Sequence, residues 1–558
     1  MKKILVIILA VLVLGVASAV WVMRGATGPT DPATLLPAET VALASLPDLP
    51  RSASRWPKTI LAKIGAEPEM KAFLERPIQY FTKDRGGNEA AGILWQLKPG
   101  RVFVSVVSMD SNDAALLVGF QFWGGKSGHD LAVARLRDEI SRGGLAPEIA
   151  RETYNGVEIA SSKHQGFTLY NASQGQWGFL SNNLAALKDA IDRAAGRKKD
   201  NSLADSARYK EVLAKLVTDP DLLLFCQPQG ALETLLEVGA SLGAQPVPQQ
   251  VEQLRKVEAV GATTKLDEAN LRDTIFVLRR NPPDVGSLNH ATMKFTSPET
   301  AVYFAFASDF RQILGAVSNA IEAGVPTPPA MQNSRLSQLI PQAFGPDCAI
   351  SLWWAPQQMR PSGFIAVQIR DKPKAEESVR ELLTLLPDAQ LAESEGIRYL
   401  SFPSLQSAFV NPTIALDTDF LLLGVDPGEL GQSLQASKAG ESLEKAPVFS
   451  SALPAFKTAN EVFGFADTKL LFERGFPLLR QVIVFGAAVV PGASDVIDTS
   501  KLPETGSIAK HLQPIVYSQT RIPEGYLVES TGPITMDQAA LLGGLVGAWF
   551  LKPTVAEQ

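Results

Sequence analysis

The sequence predicts an α+β fold, internally duplicated into two similar halves that each combine a mainly antiparallel sheet with helices. An N-terminal transmembrane or signal helix precedes them. Strand-like apolar runs follow one another through hairpin turns instead of alternating regularly with helices, which is typical of antiparallel sheets. The 558 residues are 46% apolar and 20% charged. These proportions indicate a folded globular protein, and the length indicates two or three domains.

A capped strand–helix unit marks the duplication. Residues 175–191 comprise an apolar run, the helix N-cap Asn183 and an amphipathic segment. Residues 418–434 repeat this plan with Asp426 at the N-cap. Further elements recur in the same order, so we predict a first repeat at 35–284 and a second at 285–538. The halves would either pack as separate domains or join into one continuous sheet.

The N-terminal residues 1–24 form an apolar segment bounded by lysines and an arginine. Its uncharged part begins at Ile4, ends at Met23, and at ~1.5 Å per residue would span ~30 Å, the thickness of a bilayer core. The preceding lysines predict a cytoplasmic N-terminus. We expect a signal anchor in the inner membrane, with Trp21 at the interface and the rest of the chain in the periplasm or outside.

Cleavage is the alternative for this segment. An Ala-Ser-Ala motif ends at Ala19 and resembles a signal-peptidase site, after which the protein would be secreted to the periplasm. Residues 25–34 are rich in Gly, Pro and Thr and are typical of a tether.

Apolar periodicity places the elements of the first half. Predicted strands are 41–46, 101–107, 115–122, 148–153, 157–161, 167–172, 176–181, 221–227, 257–265 and 271–279. Predicted helices are 52–64, 67–80, 129–141, 202–216 and 230–242, with another behind Asn183. Asn155-Gly156 is a strong hairpin signal.

The second half repeats this order with different side chains. Its matching segments are 310–322, 348–354, 364–369, 374–386, 395–396, 442–453 and 462–466. Val482–Val490 is apolar but too short to span a bilayer, so we predict a buried element. Residues 539–558 are predicted to form an apolar C-terminal helix and a polar tail, with the helix docked on the protein's own sheet.

Catalytic and metal-binding motifs are missing from the sequence. The four histidines are far apart, no G-x-S-x-G elbow occurs, and Gly124–Ser127 lacks the first glycine of a phosphate-binding loop. The sequence predicts no metal and no cofactor, and it leaves any catalytic residue unknown. Cys226 and Cys348 are predicted to be free thiols, with a single bridge as the alternative. A net charge of -6 without a Lys/Arg cluster excludes nucleic acid.

The one tryptophan doublet, Trp353-Trp354, is the only candidate for ligand contact. On a strand the two rings point to opposite faces, so one is expected in the core. The other would contact a ligand or lie beneath a helix.

A resemblance in the order of the predicted elements adds to this interpretation. The Leu36-Pro-Ala-Glu-Thr40 opening, the strand after it, and paired helices ending near Glu67–Leu74 resemble large exported bacterial envelope proteins that carry a domain of unknown function. The resemblance implies an envelope location and brings no catalytic residue with it.

The sequence favours a non-enzymatic, membrane-anchored envelope protein whose duplicated ectodomain binds a protein, lipid or cell-wall partner. The alternatives are an extracytoplasmic hydrolase with a carboxylate-based site, and a lipid carrier. A hydrolase would show converging carboxylates in a cleft. A lipid carrier would show an apolar cavity of roughly 300–1,000 Å³.

Overall fold

The computed structural model shows a mixed α/β protein with a large antiparallel sheet. It describes residues 31–82, 99–110, 113–122, 149–164, 167–241, 248–308, 335–356, 358, 360–385, 388–394, 397–403, 406, 411–490 and 492–539. The chain divides into two compact units. The first contains the described residues up to Pro282 together with Ala487–Leu502 and Ile522–Leu527, and the others form the second. The expectation of helices with mainly antiparallel strands is confirmed.

Several expected elements lie outside the described residues. They include Ile4, Trp21 and Met23 of the predicted anchor, and nearly all of the C-terminal segment 539–558. Within the ranges given above, none of the helices combines the length and the hydrophobicity needed to cross a bilayer.

The first unit contains ten strands among its described residues. They are β1 (Ala42–Leu46), β2 (Pro99–Met109), β3 (Ala114–Phe122), β4 (Ile149–Tyr154), β5 (Val157–His164), β6 (Phe167–Gln174), β7 (Trp177–Ser181), β8 (Leu222–Cys226), β9 (Ala259–Asp267) and β10 (Asn270–Leu278). Antiparallel pairing arranges them in the order β4-β5-β6-β7-β3-β2-β1-β8-β9-β10.

The remaining strands lie in the second unit, except that residues 522 and 525–527, at the end of one strand and the start of the next, belong to the first. They are β11 (Thr300–Ala307), β12 (Phe344–Trp353), β13 (Ser362–Ile369), β14 (Gln390–Ser394), β15 (Ile397–Ser401), β16 (Thr413–Leu416), β17 (Phe420–Gly424), β18 (Val462–Ala466), β19 (Ile515–Ile522) and β20 (Gly525–Gly532). Their order is β14-β15-β16-β17-β13-β12-β11-β18-β19-β20. The two orders correspond strand for strand.

Short helices connect these strands. They are α1 (Leu49–Arg55), α2 (Ile60–Ala66), α3 (Pro68–Thr82), α4 (Leu184–Ala194), α5 (Ala207–Leu213), α6 (Leu232–Ser241), α7 (Pro248–Arg255), α8 (Leu336–Ala343), α9 (Lys372–Leu385), α10 (Pro427–Ala439), α11 (Leu453–Thr458), α12 (Thr468–Val489), α13 (Ala493–Val496) and α14 (Thr505–Ala509). The predicted helix 52–64 is divided between α1 and α2, because Pro57 lacks an amide hydrogen and Thr59 caps a new helix through the amide of Ala62.

The local signals at the caps and hairpin are confirmed. The Asn183 side chain accepts a hydrogen bond from the Ala186 amide at 3.0 Å, and Asp426 accepts one from Gly428 at 2.8 Å. Asn155 and Gly156 both have positive φ, 48° and 79°, as a type I′ turn between two strands requires.

Helices α4 and α5 bury one face of the first unit's sheet. Leu187 and Ile191 of α4 share a core with Phe179 of β7 and Phe225 of β8. Helix α5 approaches β9 closely at Gly261, where an added Cβ would lie 2.3 Å from the Val212 side chain. Any larger residue there would displace the helix, so Gly261 fixes the distance between α5 and the sheet.

The expectation that Val482–Val490 is buried is wrong. This segment is the C-terminal end of α12, and Val482, Phe485 and Val489 are 65%, 71% and 60% exposed. Hydrophobicity alone cannot distinguish a helix packed in a core from one that presents its side chains at the surface.

The two cysteines do not form a disulfide bond, as the sequence predicts. Cys226 and Cys348 are both free thiols. Burial raises the pKa of Cys226, and burial with the neighbouring Asp347 carboxylate raises the pKa of Cys348 to about 12. Both thiols therefore react slowly at neutral pH.

Asp347 carries a buried carboxyl group in the second unit. The residue is 0% exposed, accepts a hydrogen bond from the Ala291 amide at 3.2 Å, and its Oδ1 has no partner in the described structure. Desolvation raises its pKa to about 6, partly opposed by that amide and by the amide of Asn289.

We predict that Asp347 makes the protein less stable as the pH rises. A pKa above the unfolded value favours folding at acidic pH, and this contribution disappears as the pH passes through about 6. It amounts to roughly 2–3 kcal/mol. Urea unfolding at pH 4.5 and 7.5 should show a smaller pH dependence for Asp347→Asn than for the wild type. Asp219→Asn, at an exposed carboxylate, is the control; equal pH dependence in all three proteins would contradict the assignment.

We also predict unequal roles for the two tryptophans. Trp353 is 8% exposed and its ring centroid lies 6.0 Å from that of Phe364, whereas Trp354 is partly exposed. Trp353→Ala should lower the free energy of unfolding by about 3–5 kcal/mol. Trp354→Ala should lower the free energy of unfolding by clearly less. Urea midpoints of the two variants measure the difference, and the reverse order would show that the wrong ring has been assigned to the core.

Candidate functional site

The structure separates the two tryptophans proposed for ligand contact. Trp353 belongs to the core that also contains Phe295 and Phe364. The Trp354 indole nitrogen donates to the Gln358 carbonyl at 3.1 Å, and its ring lies beside Gly475 of α12, where an added Cβ would be 3.6 Å away. Trp354 therefore lies beside a helix. Neither ring lines a cavity described below.

Two other features of the described residues suggest binding. The first is the apolar end of α12. Six large apolar side chains on it are more than a third exposed: Leu478, Leu479, Val482, Val484, Phe485 and Val489. The sequence has no charged residue between Arg480 and Asp495. Contiguous exposed apolar surface of this kind marks a protein or membrane contact site on a soluble domain.

The second feature is a cavity of about 460 Å³ in the first unit. Its floor is a row of neighbouring strand residues, Ser45 of β1, Leu223 of β8 and Thr263 of β9. Tyr209 and Leu213 of α5 form the opposite wall. The cavity opens to solvent beside α5, and its volume falls within the range of small-molecule sites.

Hydroxyl groups around this cavity lack hydrogen-bond partners. Ser45 is 3% exposed and Tyr209 is 2% exposed, yet neither hydroxyl oxygen has a partner among the described residues. Thr274, which pairs with Thr263, has a similarly unpaired hydroxyl. Thr263 donates only a long bond of 3.4 Å to the Thr274 carbonyl. Buried polar groups are nearly always paired, so this concentration calls for an explanation.

Charged groups of both signs border the cavity. Asp31, Asp219 and Arg101 contribute to its lining. Burial lowers the pKa of Arg101, while the carboxylates of Asp31 and Asp48 oppose that shift. Arg51 lies 3.5 Å from Asp219. Three carboxylates and two guanidinium groups therefore lie at or near the rim. Burial also raises the pKa of Tyr209, which keeps its hydroxyl protonated.

Chemistry beyond binding finds little support in the described part of the chain. No group of three His, Cys, Asp or Glu side chains there is arranged to hold a metal ion. His290 is half-buried, and its Nε2 lies 3.1 Å from the Ala459 carbonyl oxygen. Burial lowers its pKa, which favours the neutral ring. The thiol of Cys348 stays un-ionised at neutral pH and offers no activated nucleophile.

A shallower apolar groove of about 360 Å³ lies on the second unit. Ile350, Ile365 and Leu423 are paired neighbours on β12, β13 and β17, and each is more than a third exposed. It lacks unpaired hydroxyl groups of the kind that border the larger cavity.

Sequence reasoning missed both features, for different reasons. The α12 segment was recognised as apolar but assigned to the interior. The cavity had no sequence signal of its own, because Ser45, Tyr209 and Thr263 are far apart in the chain and meet only through strand pairing.

Comparisons with known proteins identify an uncharacterised domain. No curated protein matches the chain. Two solved structures, titled "Structure of crystal form III of TP0453" and "Structure of crystal form IV of TP0453", match with TM-scores of 0.27 and 0.26 and 9% identity. The two matches cover 46% and 45% of this chain, and 83% and 81% of the matched TP0453 chains. A family model described as a protein of unknown function (DUF3352) matches residues 141–343, so a domain of unknown function covers that part of the chain.

Proposed function

We propose that this chain is a non-enzymatic, membrane-anchored envelope protein whose folded part contacts lipid through the apolar end of α12. Residues 1–24 would serve as the anchor in the inner membrane, because their length matches a bilayer. The folded part would then lie in the periplasm or outside. The observation that carries the lipid contact is the exposure of Val482 and Phe485, 65% and 71%.

The length of this helix end favours insertion into one leaflet. Val482–Val489 comprises eight residues, and at ~1.5 Å per residue they reach ~12 Å. A bilayer core is ~30 Å thick, so the segment enters about half of it without crossing. Arg480 lies at the boundary of the apolar segment, where a long side chain can keep its charge at the interface.

The energetics also favour lipid over water. Burying a side chain such as Val or Phe contributes about 1.5–3 kcal/mol. Several exposed side chains entering lipid together would give a free energy comparable to that of a lipid anchor. In water the same side chains impose an unfavourable hydration free energy and favour aggregation.

The proposal includes an internal duplication of the folded part. The corresponding strand orders of the two units support it, together with the recurrence of Leu203 as Leu443 and of Phe225 as Phe465, each 240 residues later. Both members of each pair are buried in their own unit's core. A duplicated fold lets one copy diverge while the other retains stability.

A fluorescent reporter on α12 tests the lipid contact. Phe485→Cys is labelled with NBD in full-length protein carrying Cys226→Ala; the high pKa of the buried Cys348 keeps it unreactive. We expect NBD emission to shift to shorter wavelength in phosphatidylcholine vesicles and to be quenched by lipids with brominated acyl chains. Because the reporter senses its own surroundings, an N-terminal anchor alone would not produce this result.

Gln435→Cys is the matched control, because Gln435 is an exposed residue on α10 of the same unit. NBD at position 435 should show neither the shift in emission wavelength nor the quenching by brominated lipids. Val482→Asp should reduce the quenching at position 485, because a carboxylate near the middle of a membrane helix costs about 2.5–3.5 kcal/mol. Equal quenching at 485 and 435, or none at either, would refute lipid insertion. Protection of position 485 only after addition of another envelope protein would favour a protein partner.

A further inference from the structure

We propose that an open apolar face of the second unit's sheet is the docking surface for the chain's own C-terminal segment, residues 540–551. This segment follows Ala539 and lies outside the described residues. The inference is separate from the lipid contact of α12, because it concerns the surface of β12, β13 and β17.

The docking surface is a row of paired strand residues. Residues that pair directly across antiparallel strands project from the same face of a sheet. The row crosses six strands of the second unit, from β17 to β19: Leu423, Ile365, Ile350, Phe304, Gly464 and Tyr517. An added Cβ at Gly464 would lie 3.2 Å from the side chains of both Phe304 and Tyr517, which agrees with this shared face.

One end of the row is apolar and open. Ile350, Ile365 and Leu423 are 36%, 40% and 37% exposed, and they line the groove of about 360 Å³. The neighbouring row of the same face is covered, since Val367 and Leu421 pack against a cluster to which α8 and α9 contribute. Helices therefore cover this face next to the groove, and the groove itself has no such cover among the described residues.

The described chain ends in the first turn of a helix. Residues 536–539 are helical, and the Thr535 hydroxyl accepts a hydrogen bond from the Gln538 amide at 3.3 Å, as a helix N-cap does. The sequence continues without a charge through residues 538–551, most of which are apolar, and the next charged residue is Lys552. The apolar segment thus directly follows a helix start whose position is known.

The contacts of this turn place it at the other end of the row. The Met536 amide donates to the Ser530 hydroxyl at 2.8 Å, and that hydroxyl donates to the Val516 carbonyl of β19 at 3.2 Å. Burial raises the pKa of Tyr517 to about 12, and the nearby Asp537 carboxylate adds to this rise. The helix therefore begins beside Tyr517, on the face that carries the groove.

The length of the segment matches the distance to the groove. Neighbouring strands are ~4.8 Å apart, so the five spacings from β19 to β17 amount to ~24 Å. A helix over residues 536–551 would also be ~24 Å long, at ~1.5 Å per residue. Its uncharged part, ~21 Å, is shorter than a bilayer core of ~30 Å. A helix that starts beside Tyr517 can therefore cover the row as far as Leu423, and it is too short to cross a membrane.

A tryptophan in the segment provides the test. Trp549 lies ~20 Å beyond Met536 along a helix, which is about four strand spacings and brings it to β13, next to Leu423 of β17. Bimane attached at Leu423→Cys reports this contact, because a tryptophan at short range quenches bimane fluorescence. The label is placed on full-length protein carrying Cys226→Ala, since the buried Cys348 thiol, with a pKa of about 12, stays unreactive.

We expect Trp549→Phe to raise the bimane emission at position 423 severalfold, in phosphatidylcholine nanodiscs that hold one copy each. Single copies ensure that only a contact within the chain is measured. Leu224→Cys is the matched control, because Leu224 is an apolar strand residue of the first unit and is 40% exposed. Bimane emission at position 224 should be the same with and without Trp549→Phe.

Ile365→Glu tests the docking surface itself. A carboxylate buried in an apolar contact is unfavourable, so this variant should raise the emission at position 423 as far as Trp549→Phe does. The comparison made with Trp549→Phe does not depend on how well Ile365→Glu folds. Unchanged emission at 423 after Trp549→Phe, an equal change at 224, or full quenching retained in Ile365→Glu would overturn the proposal. None of these results bears on the lipid contact of Phe485, which has its own reporter.

Discussion

The burial of one sheet face beneath short capped helices is the constraint on which the rest of this structure depends. In the first unit, Gly261 lets the side chains of Val212 and Leu216 approach β9 so closely that a Cβ at position 261 would collide with them. That contact fixes the position of Tyr209 and Leu213 above the strands. Beyond the end of α5, Leu216 and Leu223 border the cavity.

Local chemistry made much of the fold predictable. The hairpin at Asn155-Gly156 and the caps at Asn183 and Asp426 depend on one or two residues each, and all three have the expected geometry. Strand positions followed from apolar runs. The division of the predicted helix 52–64 at Pro57 was missed because its apolar spacing continues across the break, even though proline disfavours a continuous helix.

The candidate sites were less predictable, because each depends on tertiary structure. Val482–Val490 has the composition of a core element, and only the fold shows that most of it is exposed. The cavity is formed by residues from β1, α5, β8 and β9 that are far apart in sequence. Trp353-Trp354, the most conspicuous aromatic feature of the sequence, proves to lie in and beside the core. Conspicuous sequence features are often those that a core requires.

The exposed helix end and the unpaired hydroxyls pose different physical problems. Exposed side chains on α12 require only a surface that excludes water, so lipid or a protein would satisfy them. The hydroxyl oxygens of Ser45 and Tyr209 are instead buried without a partner among the described residues, and each such group costs roughly 1–3 kcal/mol of stability. The first problem is solved by what contacts the protein from outside, whereas the second is a cost that the core itself carries.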